Sequence, residues 1–388
     1  MDFNNTQIAF QSKSNNDLNR AYWLFKIIGY PSIVKIGKGL TNFAIKTHLP
    51  IESIIRKTIF KQFCGGTTIN DCEKTTKELY KFGVGTILDY SVEGKTSTED
   101  FEKTTQEIIS TIHKAKGNEA IPYAVFKVTG ISRFGLLEKS NDLKSTLNDS
   151  EKKELKDVVE RIDRICKSGF ENNVPVFIDA EESWIQDVID RICLSMMEKY
   201  NKEKAIVFNT LQMYRHDRLD FLNREIDLAK KGGYHYGIKL VRGAYMEKER
   251  ARAEKMDYPS PIQPTKDQTD IDYNKALELI LDNINSLALC AGTHNEYSSK
   301  FLTELIEKKG IKKEDKRIYF AQLLGMSDHI SYNLSAAHFN VAKYVPYGPV
   351  NEVLPYLLRR ADENTSVAGQ TGRELSLLMI EKNRRKQK

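Results

Sequence analysis

The sequence predicts a (β/α)8 barrel, and three observations carry this expectation. Short apolar or β-branched runs recur eight times after about residue 82. They are GVGTILDY (83–90), PYAVFKVTG (122–130), VPVFIDAE (174–181), AIVFNTLQ (205–212), HYGIKLVRG (235–243), LALCAGTHN (287–295), RIYFAQLLG (317–325) and AKYVPYG (342–348). The segments between them carry helical patterning, as in ELKDVVERIDRICKSG (154–169) and YNKALELILDNINSL (273–287). Strands alternating with helices imply a parallel sheet, and right-handed crossovers repeated at each step close most naturally into a barrel. The nucleotide fingerprint of an open doubly wound sheet is missing. Gly83-Val84-Gly85 lies within a strand run and lacks the third glycine, and Cys64-Gly65-Gly66 precedes no strand–helix unit.

Around this barrel (81–375) the sequence reads as an N-terminal helical arm (1–80) and a basic C-terminal tail (376–388). The arm carries possible helices near 17–29 and 70–81. The tail, with Lys382, Arg384, Arg385, Lys386 and Lys388, is expected to be a solvated, frayed end. Fifty-nine basic and 53 acidic residues give a net charge of +6, a mixed surface that argues against nucleic-acid binding. Five scattered cysteines contain no CxxC and no zinc spacing, so reduced thiols and no metal site are expected. No apolar run reaches the ~20 residues needed to span a bilayer. The first residues, MDFNNTQIAFQSKSNND, have no apolar signal core and few basic residues, so neither a secretory nor a mitochondrial leader is expected. The expected location is cytoplasmic, with contact to the inner face of the membrane at most peripheral.

Barrel strands feed the active site from their C-terminal ends. Here those ends are polar: Lys127, Asp179, Gln212, Lys239 with Arg242, Thr293-His294-Asn295, Gln322 and Tyr344. Seven strand ends converging on one rim would be costly if left unpaired, so the rim is expected to be a site. Lys127 sits among apolar neighbours, and Asp179 on the next strand is its obvious partner. The pair reads either as a barrel-mouth salt bridge or as function, in which Lys127 receives a substrate carboxylate or serves as a Schiff-base amine.

The segment GPVNEVLPYLLRRADEN (348–364) places Tyr356, Arg359, Arg360 and Glu363 at i, i+3, i+4 and i+7, one face of a helix. Leu354, Leu357, Leu358 and Ala361 cover the other directions. Two guanidinium forks suit a planar carboxylate in bidentate fashion, and Glu363 can fix an arginine rotamer. The bland alternative is a solvated helix face. Two adjacent arginines with a tyrosine one turn back, directly after the last strand, favour a receptor for a zwitterion.

The segments VFKVTG, FIDAEES, FNTLQMY, IKLVRGAYMEKE, GTHN, YFAQLLGM and KYVPYGPVNEVLPYLLRRADEN, in this order, resemble proline dehydrogenases across roughly 83–370. QLLGM and KYVPYGPV look closer to the eukaryotic-type monofunctional enzymes, and at 388 residues no second dehydrogenase domain is expected. The resemblance implies FAD, a distorted (β/α)8 barrel with a final helix over its mouth, L-proline as substrate and a membrane quinone as electron acceptor. It implies that Arg359, Arg360 and Lys127 bind the proline carboxylate, that Asp179 positions Lys127, and that Glu363 holds the arginine pair. Tyr356, Tyr344, Tyr245, Ala244 and Leu323 would line the ring pocket. Gln212, Lys239, Gly243, Ala244, His294 and the backbone of Thr293–Asn295 would contact FAD. The family often has Arg where this chain has Lys239, which keeps a cation but loses bidentate geometry. Glu93 is a weaker match for a residue gating the pocket. The bulky Tyr344 implies proline over 4-hydroxyproline. The competing readings are a Schiff-base lyase or aldolase built on Lys127, a hydroxyproline dehydrogenase, and a carboxylate-binding barrel without catalysis.

Overall fold

Eight strands form where the eight apolar runs stand. They are β1 (Val84–Tyr90), β2 (Tyr123–Lys127), β3 (Val176–Asp179), β4 (Val207–Gln212), β5 (Tyr236–Val241), β6 (Leu287–Gly292), β7 (Ile318–Leu323) and β8 (Val341–Tyr347). A computed structural model describes residues 1–30, 32, 35, 52–92, 96–142, 144–366 and 370–387, apart from the side chains of 54, 361–366, 370 and 371. The strand order runs from β1 to β8 and closes into a barrel. β1 and β8 pair in parallel from Val84↔Val341 to Tyr90↔Tyr347. The near-continuous burial along these strands is what a parallel sheet with covered faces requires.

The principal helices are α1 (Asn15–Ile28), α2 (Cys72–Tyr80), α3 (Thr98–Ala115), α4 (Asp149–Asn172), α5 (Ser183–Tyr200), α6 (Arg218–Gly232), α7 (Met246–Met256), α8 (Lys266–Asp282), α9 (Glu296–Lys308), α10 (Asp328–Ala336), α11 (Leu354–Ser366) and α12 (Gln370–Lys386). Their ends follow local chemistry. Ser14 and Asp17 form a capping box on α1, and Asn148 and Glu151 form one on α4. Asn173 and Gly233 end α4 and α6 in the left-handed conformation.

The chain divides into two compact units, residues 94–321 and residues 1–93 with 322–388. In the 94–321 unit the inward strand positions begin with an aromatic layer. Tyr123 stacks on Phe177 with centroids 4.4 Å apart, and Phe208 and Tyr319 meet Tyr123 edge-on at 5.6 and 5.0 Å. Such pairs add to area burial. Gly237 is required beside this layer, because a Cβ there would stand 2.7 Å from the Phe208 ring.

In the other unit the arm and the C-terminal helix pack on each other. Phe10, Leu18, Ala21 and Phe25 share a buried cluster with Leu377 and Leu378. The basic C-terminal residues are not a frayed end. Glu381 is fully buried in α12 and pairs with Arg384 and Arg385, and Arg385 donates to the carbonyls of Phe10 and Lys13, each at 2.8 Å. A tail that ties down backbone carbonyls of the arm gains order that composition alone does not reveal.

Candidate active site

The polar layer sits two or four residues along each strand from the aromatic one. Side chains alternate along a strand, so Tyr123 and Lys127, Phe177 and Asp179, Phe208 and Gln212, and Gly237 and Lys239 share the inward face. Asp179 is buried and pairs with Lys239, whose ammonium also lies 5.6 Å from the Phe177 centroid. The sequence suggested Lys127 as the partner of Asp179. Lys127 is its register neighbour on β2, while the ion pair described for Asp179 reaches across to β5. Strand adjacency names the neighbour; barrel curvature brings the more distant lysine inward as well. Gln212 is buried and donates to the carbonyl of Glu181 at 2.7 Å.

Two polar strand ends leave the rim. Arg242 donates to Asp270 and Thr293, each at 2.6 Å, and to Ser298 at 2.9 Å, with its guanidinium 4.4 Å from the Tyr273 ring. It holds the β5–α7 loop against α8 and α9. Gln322 accepts from Ser331 on α10 at 2.8 Å, on the outer side of its strand. Both lie one position away from an inward residue, and the period of two decides their direction.

The loops after β5 and β6 complete this unit. Gly243 has φ +132°, and a Cβ there would meet the Tyr214 ring at 2.6 Å, so only glycine fits. Ala244 is exposed and Tyr245 half-buried at the entry to α7. Glu249 on α7 is fully buried and accepts from the amide and hydroxyl of Ser183 at the start of α5, each at 2.6 Å. That carboxylate fastens the loop carrying Ala244 and Tyr245 to the one following β3. Thr293 is buried, His294 half-buried, and the Asn295 side chain caps α9 by accepting from Ser298 at 3.0 Å. The start of α9 therefore stands directly after His294 and favours an anion.

The remaining candidates belong to the other unit. Tyr344 is buried on β8, opposite in face to Lys343, and Leu323 ends β7. Tyr356 and Arg360 are buried on α11, with the guanidinium 5.0 Å from the tyrosine ring; Arg359 is half-buried. Proline at the second position of α11 suits the first turn. Leu354, Tyr356 and Leu357 pack with Ile55, Phe60, Phe63 and Cys64 of the arm, with Leu323 against the same cluster. The arm thus seats the arginine-bearing helix rather than forming a separate body. Glu363 lies in α11, but its side chain, and Glu93 altogether, lie outside the described residues.

Sequence reasoning assigned no role to Glu181, Glu249 or Lys343. Each reads as an ordinary charged residue, and only for Glu181 was a signal present: a carboxylate two positions beyond an inward Asp179 at a strand end.

The strands close into a parallel (β/α)8 barrel, whose residues 94–321 carry a cation–carboxylate layer above an aromatic floor. A family model described as proline dehydrogenase matches residues 72–373. The chain is 35% identical to proline dehydrogenase 1, mitochondrial, of Dictyostelium discoideum over 98% of its own length and 74% of that protein's. It is 42% identical to the human proline dehydrogenase 1, mitochondrial, over 63% of this chain and 41% of that one. Among solved structures, proline utilization A from Bdellovibrio bacteriovorus, inactivated by N-propargylglycine, superposes with a TM-score of 0.75 at 18% identity. The match covers 96% of this chain and 40% of that chain, and shows the shared fold. The chain therefore belongs to the proline dehydrogenase family. It is an oxidoreductase of that family, though it spans less than half the length of the human relative and of the bacterial structure.

Proposed function

We propose that this protein oxidises L-proline to Δ1-pyrroline-5-carboxylate with FAD as its resident cofactor and passes the electrons to a quinone. One observation carries the reading. Lys127, Asp179, Gln212 and Lys239 stand on one inward face of four consecutive strands, in a chain of this family. The residues present fit a flavin. Gln212 and Lys239 offer donors, Gly243 lets a ligand approach a backbone no side chain could share, and the capped start of α9 beside His294 suits a pyrophosphate. Bound flavin would supply the hydride acceptor for the oxidation of the ring.

The chain's own groups orient the substrate. Arg359 and Arg360, with Lys127, receive the proline carboxylate. Asp179 holds the cationic layer, and Glu363 fixes the arginine pair. Tyr356, Tyr344, Tyr245, Ala244 and Leu323 enclose the ring, and the bulk of Tyr344 selects proline over 4-hydroxyproline. Comparable turnover of both would overturn that selectivity. The location we propose is cytoplasmic with peripheral membrane contact; among the described residues no helix is long and apolar enough to cross a membrane.

The purified protein should be yellow, and its visible absorbance should bleach on addition of L-proline. Arg360→Ala or Arg359→Ala should raise the proline KM strongly and leave the colour. A colourless protein that binds no added FAD, or a borohydride-trapped adduct on Lys127, would overturn the reading. Loss of flavin from the arginine variants would overturn the division of roles.

A further inference from the structure

Glu181 has no part in the roles above, yet it joins three strand ends. It lies two residues beyond β3 and is 3% exposed. Its carboxylate takes both donors of Thr129, the amide at 3.0 Å and the hydroxyl at a shorter distance, just after the end of β2. Its backbone amide donates to Gln186 on α5 at 2.8 Å, and its carbonyl accepts from Gln212 at the end of β4. The charges acting on it are Lys127 from β2 and Glu182 from its own loop; α5 and β4 present it with the amides of Gln186 and Gln212. Burying a carboxylate is costly unless it is paired and hydrogen-bonded, and here the compensating groups are the residue that follows Lys127 by two and Lys127 itself.

We propose that Glu181 is a positioning residue for substrate binding: by gripping Thr129 and facing Lys127, it fixes where the end of β2 presents the lysine ammonium to the carboxylate of proline. This rests on Lys127 being a carboxylate ligand. The geometry has a consequence for pH. Burial pushes the Glu181 carboxyl up to about 7, against the pull of Lys127 and Thr129. As pH falls through about 7 the carboxylate takes a proton, its attraction for Lys127 is lost, and the grip on Thr129 loosens.

The test compares wild type, Glu181→Gln, Thr129→Val, Lys127→Met and the double variant K127M/E181Q in the flavin-loaded protein. Proline KM, kcat, flavin content and melting temperature are measured from pH 6 to 8.5. Glu181→Gln should raise KM about tenfold, as loss of a charge-assisted contact would, with kcat within about twofold and flavin content unchanged. Its KM should be flat across pH 7, where that of wild type rises on acidification. Thr129→Val, which attacks the same contact from the other side, should raise KM in the same direction. The double variant should add nothing to Lys127→Met, because the two act through one ammonium. A wild-type KM in both Glu181→Gln and Thr129→Val, a fall in kcat without a KM change, or full additivity would overturn the proposal. A wild-type KM in Lys127→Met would instead sink the carboxylate-ligand reading on which it rests.

Discussion

Lys239 and Lys343 are both buried lysines on barrel strands, and each faces an aspartate, yet they look to opposite sides of the sheet. Lys239 points inward to Asp179, above the Phe177 ring. Lys343 points outward to Asp328 at the start of α10, at 2.9 Å, and donates to the carbonyls of Met326 and Leu323. Its side chain is wholly buried, whereas those of Lys239 and Asp179 keep 10% and 11% of their surface. Asp328 is also reached by Lys13 of the arm at 3.4 Å. The outer pair thus closes a structural joint, while the inner pair lies on the face that carries the other polar strand-end residues. One residue of strand parity separates the two fates.

The largest effect should come from breaking the outer pair. Lys343→Met leaves Asp328 buried without its nearest cation and should cost about 3–5 kcal/mol of stability. Denaturant unfolding would measure it, and a loss near zero would erase the distinction between the pairs. Lys239→Met should act on turnover instead, lowering kcat by about a hundredfold as removal of a preorganised charge does, with a smaller loss of stability. Equal stability losses in the two variants, with kcat preserved in the second, would reverse the assignment.

A third outcome sharpens the comparison. Burial pushes the Asp328 carboxyl up, but Lys343 and Lys13 more than offset this and hold it at about 2, below its ordinary 3.8. A carboxyl depressed on folding contributes stability that is present above its ordinary range and lost as pH falls through the folded value. The joint should therefore lose about 2 kcal/mol between roughly pH 4 and pH 2. An Asp328→Asn variant whose unfolding has the same acid dependence as wild type would contradict this.

The strands were legible because parallel strands, covered on both faces, read as unbroken apolar runs. The face joining Tyr356 to Arg360 was legible because 3.6-residue spacing is written into the chain. Inward and outward residues at the strand ends were not separable. Arg242 and Gln322 look like rim residues until the register shows which neighbour faces in. The Asp179–Lys239 pair joins β3 to β5 across β4, a distance no local pattern covers. The seat that the arm makes for α11, and the clasp of Arg385 on Phe10 and Lys13, join residues hundreds of positions apart, where no local pattern reaches.

That clasp bears on synthesis. Arg385 and Phe10 are 375 residues apart in sequence. At about 5–20 residues per second, the arm waits on the order of tens of seconds on the ribosome before its partner is made. Residues 94–321, which carry β2–β6 and most of β7, are all translated before α12. The strand with Lys239 is thus translated before the helix with the arginines. Until α12 is made, the cluster of Phe10, Leu18 and Phe25 lacks the cover of Leu377 and Leu378, apolar surface of the kind that makes partly folded chains prone to aggregate.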